Sequence, residues 1–256
     1  FVRNKTLYKL PIATVLRCHP HNVDLLHSRH PASHNMLTLR FFASATLFLV
    51  AIASPVDHVA QTFAITVENL SYKQIFTPVL TVIHESSVTI FKTGTPASLE
   101  LQYVAEDGNA TMFVQLFESG LSGICGWSVG SELTFPGKTY NGNVTITKPC
   151  QDPHISIVSM LGISNDAFTG ISSVPLDVQH KISEQVTAYD AGTEENNEDC
   201  VYVGACAGSH NLRTPGLGEG FVHVHRGIHG LNVTKPGLSV EYDWRFPVAY
   251  ITVSST

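Results

Sequence analysis

The sequence predicts an all-β chain, an antiparallel sandwich or barrel of about eight strands with one or two short helices in a connection. Two observations carry this prediction. Short segments rich in Val, Ile, Thr, Tyr and Phe recur between turn residues, as strands do. Several of them alternate apolar and polar side chains with the period of two that a half-buried strand requires. Composition excludes the competing classes. Of the 256 residues, 43% are hydrophobic and only 14% charged, which is too apolar for a disordered chain. Gly, Pro and Cys are near ordinary levels, which excludes collagen-like and disulfide-dense chains. No internal repeat or long linker breaks the pattern, so residues 54–256 read as one domain.

Taken in order, residues 62–68 alternate and put Phe63, Ile65 and Val67 on one face. A second strand is expected over 78–84. Thr95 and Pro96 then offer an N-cap and a proline at the first helical position. Two short helices are expected over 96–105 and 110–119, joined at Asp107 and Gly108, with Leu99, Val104, Met112, Leu116 and Phe117 packed on the sheet. Residues 140–143 read as a turn that feeds a strand over 144–147. Further strands are expected over 154–160, 185–189, 220–225, 238–242 and 248–253. Trp127 and Trp244 are expected in the core or at its rim.

The net charge of −6 averages two unlike pieces. Residues 1–53 hold six Lys/Arg against one Asp, whereas 54–256 hold nine Lys/Arg against twenty Asp/Glu. So acidic a domain disfavours nucleic acid, whose phosphates need a basic stripe, and suits a hard cation. Residues 36–53 begin at Met36, are briefly basic, run apolar over 41–53 and end Ala51, Ile52, Ala53. They read as a secretory signal peptide cleaved after Ala53. The run is shorter than the roughly 20 residues of a membrane span, and an uncleaved signal-anchor is the alternative. Residues 1–35 hold five His and Cys18 and read as an over-extended gene model or a disordered leader, with a metal-binding His-rich tail as the alternative.

Two features agree with secretion. Asn-x-Ser/Thr sequons occur at Asn69, Asn109, Asn143 and Asn232, each a possible glycan acceptor. Apart from Cys18, four cysteines remain, Cys125, Cys150, Cys200 and Cys206. An even number in a secreted chain suggests two disulfides, with three connectivities open. Sequence proximity favours Cys125–Cys150 and Cys200–Cys206. No Cys-x-x-Cys pair supports a zinc-cysteine site.

Two stretches could carry chemistry. Residues 189–199 follow a strand and concentrate Asp190, Glu194, Glu195, Glu198 and Asp199. Carboxylates this close repel unless a cation or water screens them, and calcium takes six to eight oxygens in flexible geometry. A turn at Gly192 would aim Asp190 and Glu194 at one point, and Asn165 with Asp166 is the best third source of oxygen. A merely solvated acidic loop is the alternative. The second stretch, 218–230, carries His223 and His225, which share a strand face, and His229 one turn later. His-x-His on a strand can grip zinc or copper; hydrogen-bonding His beside tight glycine turns is the alternative. Gly126-Trp-Ser-Val-Gly130 has the spacing of a nucleophile elbow and Gly137-Lys-Thr139 the end of a phosphate-binding loop, but no helical pattern follows the first and Glu132 stands where the second needs its leading glycine.

Four segments together resemble the spondin domain of F-spondin, mindin and microbial secreted proteins. They are Ile65 to Leu70 with Phe76 to Leu80; Thr93 to Leu99 with Ala105 to Gly108; Ser159 and Met160 with Asn165 to Phe168 and then Tyr189 to Glu194; and Gly218 to His225 with Tyr242 to Ala249. The Asp190-Ala-Gly-Thr-Glu194 motif is the most specific part. The resemblance implies a C2-like antiparallel β-sandwich with a calcium ion held by loop carboxylates. Asp166 matches the acid of the family's first loop, and Asp190 and Glu194 match the two of its second, where Asp is usual in place of Glu194. The expected function is that of a secreted, glycosylated, calcium-binding adhesion or binding module, monomeric, without catalytic activity or a membrane span in the mature chain. Its expected partner is an extracellular protein or polysaccharide. The competing expectation is a secreted zinc- or copper-dependent enzyme built on His223, His225 and His229.

Overall fold

The computed structural model describes residues 60–204, 206, 212–231 and 236–256. The leader and signal-peptide expectations for residues 1–53, Cys18 and the sequon at Asn232 lie outside the described residues. The chain runs β1 (Thr62–Asn69), β2 (Leu80–Glu85), α1 (Leu99–Asp107), α2 (Thr111–Glu118), β3 (Ile124–Val129), β4 (Thr139–Thr145), β5 (Pro153–Met160), β6 (Ala167–Pro175), β7 (Ile182–Val186), β8 (Ala188–Asp190), β9 (His223–Val224) and β10 (Ala249–Ser255).

These strands form two antiparallel sheets, one ordered β4-β1-β10-β7 and the other β3-β2-β5-β6-β8-β9. The sheets stay separate, so the fold is a sandwich and not a barrel. Phe63, Ile65 and Val67 point inward from β1 and meet Ile83, Ile155 and Ile157 from the larger sheet, with Ile251 and Val253 beside them. The larger sheet is covered on its other face as well. Leu80 and Val82 of β2 pack with Leu101 and Val104 of α1 and Phe113 and Phe117 of α2. Burial on both faces explains why β2 reads as a continuous apolar run while β1 alternates.

Several expected boundaries move, each for a local reason. The helix α1 is capped by Ser98, whose Oγ accepts the Leu101 N–H at 3.2 Å, and not by Thr95. The Thr95 hydroxyl donates instead to the Lys92 carbonyl at 2.8 Å, closing the turn before the helix. With the helix beginning at Leu99, that side chain turns outward and is 53% exposed. The expected turn at 140–143 lies inside β4, which pairs with β1 from Thr145 opposite Thr62 to Thr139 opposite Glu68. β4 is a sheet edge, where polar Asn and Gly disturb nothing. The expected strand over 238–242 is a short 3-10 turn at Val240–Tyr242; Leu238 is buried, but Val240 is 65% exposed, so the alternation has no second buried member. β3 and β6 are not among the expected strands. Gly126, and in β6 Gly170, Ser172 and Ser173, mask the strand composition.

The single strand expected over 185–189 is two strands. β7 pairs with β10 in the smaller sheet, whereas β8 pairs with β6 and β9 in the larger. The chain crosses between sheets at Thr187 and delivers Asp190 to the end of β8.

Both favoured disulfides are present, Cys125–Cys150 with Cα atoms 5.6 Å apart and Cys200–Cys206 at 5.2 Å. Of the sequons, Asn109 and Asn143 are exposed. Asn69 is a correction: it is fully buried, and its amide donates to the carbonyls of Gln74 at 2.8 Å and Thr134 at 2.9 Å. An amide nitrogen so placed cannot carry a glycan in this fold.

Candidate cation site

The site lies where the chain leaves β8. The row Ala167, Asp190, His223 runs across β6, β8 and β9 as directly paired residues. Ser164 fixes the turn before β6: its hydroxyl donates to the Leu161 carbonyl at 2.6 Å and accepts the Ala167 N–H at 3.1 Å. Asp166 sits in that turn with its side chain toward the 190–199 loop. Its Oδ2 accepts the backbone N–H groups of Thr193 at 2.8 Å and Glu194 at 3.0 Å, and the Thr193 hydroxyl at 3.2 Å. Its Oδ1 is buried without a hydrogen-bond partner.

Asp190 Oδ1 accepts the Gly192 N–H at 2.7 Å, and its Oδ2 accepts the Asn196 amide at 2.7 Å. Glu194 Oε1 accepts the Thr214 N–H at 2.8 Å. Asp166 and Asp190 are 0% exposed and Glu194 is 3% exposed. Burial, reinforced by the neighbouring Asp190 charge, pushes the Asp166 carboxyl up to about 7 against the hydrogen bonds it accepts. Burial also pushes Glu194 up to about 7, with the Thr214 N–H opposing and the charges of Asp166 and Asp107 adding to the rise. Asp190 rises by burial too, although Asn196 and Gly192 donate to it. Withdrawal from water disfavours the charged form of each of these carboxylates, and a bound cation would oppose that shift.

The remaining acids of the loop have other work. Both Glu198 oxygens accept backbone N–H groups, from His229 and Leu231, each at 2.7 Å. Asp199 Oδ1 accepts the Val201 N–H at 3.1 Å at the start of a 3-10 turn. Glu195 is exposed.

A glycine couples this loop to the next. Gly192 has φ +68°, and a Cβ there would lie 2.4 Å from the Phe221 carbonyl oxygen. Its own carbonyl accepts the Gly220 N–H at 2.8 Å. This close stacking places Glu219 and His223 against Asp190. His223 Nδ1 donates to the Val224 carbonyl at 3.0 Å. Its Nε2 lies 3.6 Å from Asp190 Oδ1 and 3.6 Å from Glu219 Oε2. Among the described residues, a group of three possible ligand atoms within 4.8 Å of one another occurs here, from Asp190, Glu219 and His223; the expected trio Asp166, Asp190 and Glu194 is not such a group, although Asp166 lies near enough to feel the Asp190 charge and to act on Glu194. Burial lowers the His223 affinity for a proton, but the Val224 carbonyl and the Asp190 and Glu219 charges outweigh it and the net direction is up.

The other two histidines behave differently. His225 is buried, its Nδ1 accepts the Gly227 N–H at 2.9 Å, its Nε2 meets Asn196 Oδ1 at 3.0 Å, and its ring packs on Trp244. Burial holds it down to about 3, so it is neutral with both nitrogens occupied. His229 is exposed. His223 and His225 both reach Asp190, whose Oδ2 lies 3.6 Å from His225 Nε2, but among the described residues the three expected histidines form no common ligand group. Glu219 and Asn196 are members that the sequence does not single out. Glu219 is visible there only as the residue between Gly218 and Gly220, because its nearness to Asp190 depends on the pairing of β8 with β9.

The family model described as Spondin_N matches residues 58–198. The match includes Asp166, Asp190 and Glu194 and ends before Glu219 and His223. No curated protein matches the chain. No helix among the described residues is long and apolar enough to cross a membrane.

Proposed function

The chain belongs to the spondin N-terminal family, and from that premise we propose that it is an extracellular binding module whose loop carboxylates Asp166, Asp190 and Glu194 hold a calcium ion. The observation that carries this reading is the burial of all three acids together, with one oxygen of Asp166 left without a hydrogen-bond partner. Calcium is the cation that such oxygens suit: it is hard, accepts carboxylates and carbonyls alike, and tolerates irregular geometry. Its role here is to neutralise the acids and to fix the turn at Asp166 against the loop that begins at Asp190. The shaped loops at this end of the sandwich then recognise an extracellular protein or polysaccharide. Two disulfides agree with an oxidising, extracellular setting. Spondin domains are not a known enzyme family, and the reading is non-catalytic.

Melting of the purified chain tests the proposal. A ligand at about 100 times its dissociation constant stabilises by roughly 2.7 kcal/mol, which for a domain of this size raises the melting temperature by about 5–10 °C. Calcium should produce that rise over a chelated sample, and Asp190→Asn should remove it. Identical melting in calcium and in chelator would overturn the reading.

A further inference from the structure

We propose that Asp190, Glu219 and His223 form a second kind of metal site, one that takes a borderline divalent transition cation of the zinc class. The proposal goes beyond the calcium reading, and two of its three residues lie outside the region matched by the family. The geometry supports it from three sides.

The first is the spacing of the donors. His223 Nε2 stands 3.6 Å from an oxygen of each carboxylate. Bonds of about 2.0–2.1 Å in tetrahedral geometry set ligand atoms roughly 3.3–3.4 Å apart. Shifts of a few tenths of an ångström in the His223 ring and in the exposed Glu219 side chain bring both nitrogen–oxygen distances to that value. The second is the state of the imidazole. Its Nδ1–H is committed to the Val224 carbonyl. That bond fixes the tautomer and leaves the Nε2 lone pair facing the carboxylates, as a carbonyl behind a metal-bound histidine does. That Nε2 is shielded from solvent and has no hydrogen-bond partner. The third is the support of Asp190, which is fully buried and held by Gly192 and Asn196, so that one ligand is rigid before a cation arrives.

One nitrogen and two carboxylate oxygens suit zinc or its neighbours, whereas calcium prefers oxygen alone. The site would tie the strand β9 and the preceding glycine-rich turn to the end of β8.

The test is calorimetric titration of the chelator-stripped full chain with zinc, repeated on His223→Ala and Glu219→Gln, with cobalt absorption as a second probe of nitrogen-containing tetrahedral coordination. A saturable zinc site is expected in the parent chain, weakened at least tenfold in each variant, with a tetrahedral cobalt spectrum that His223→Ala abolishes. Neither variant removes a residue of the calcium trio, so the calcium-induced rise in melting temperature should survive in both, and its presence also shows that they fold. Zinc binding of equal strength in the parent and both variants, or no saturable zinc binding in the parent, would overturn the proposal whatever the outcome for calcium.

Discussion

Gly192→Ala is expected to lower stability by roughly 2–4 kcal/mol, from a Cβ forced into a packed backbone together with a left-handed conformation that side chains resist. The position has φ +68°, and the added carbon would lie 2.4 Å from the Phe221 oxygen and 2.7 Å from its nitrogen. Neither atom belongs to a flexible side chain, so the loops must part. The separation would also move Gly220 from the Gly192 carbonyl and so displace Glu219 and His223 from Asp190. Gly94→Ala is the control. It has φ +81°, with nothing within 4 Å of the place the added carbon would take, and should cost only about 1 kcal/mol for the conformation. Denaturant midpoints of the two variants check this directly: equal losses would show that the contact between the loops is not tight in solution.

The second large effect is expected from Phe168→Ala, at about 3–5 kcal/mol for a fully buried aromatic. Phe168 is 0% exposed. Its ring meets Phe91 edge-on with centroids 5.0 Å apart and Tyr189 at 5.5 Å. It lies two residues beyond Asp166, and Tyr189 immediately precedes Asp190, so the aromatic cluster is the floor on which the two acids are presented. Phe135→Ala, at an exposed ring, should cost less than about 1 kcal/mol. Urea unfolding of both variants measures the difference, and a small loss for Phe168→Ala would mean that this side of the sheet is loosely packed.

Much of this architecture is legible in the residues. β1, β2, β5, α2 and β10 declare themselves because each carries a clean period or a short apolar run between turns. β3 and β6 do not, because glycine and serine occupy positions where a neighbouring strand passes close, and composition then imitates a loop. The split of one apparent strand into β7 and β8 is likewise invisible: an unbroken β pattern says nothing about a change of sheet at Thr187. The site divides along the same line. Asp166, Asp190 and Glu194 are marked by motif, and the structure buries all three. Glu219 reaches Asp190 only through strand pairing and loop stacking, which local pattern does not encode, and Asn196 reaches it through the closed path of their shared loop. Conversely, His223 and His225 share a face as alternation requires, yet only one keeps a free nitrogen, since Gly227 and Asn196 satisfy the other ring completely.

The acidic excess of the domain also takes on a location. Within the 190–199 loop, Glu198 and Asp199 hold backbone N–H groups and Glu195 faces solvent. The acids left for a cation are Asp190 and Glu194, together with Asp166 from the neighbouring turn.

Calorimetric titration of the chelator-stripped chain with calcium, set beside the double variant Asp166→Asn, Glu194→Gln, decides whether the buried acids hold the ion. Amides keep the shape and can accept the same N–H groups, and they remove buried charge, so in chelator the variant should melt no lower than the parent. One saturable calcium site per chain is expected in the parent and none in the variant. Only heat of dilution from the parent, or equal calcium binding in both, would rule out a calcium ion at these acids.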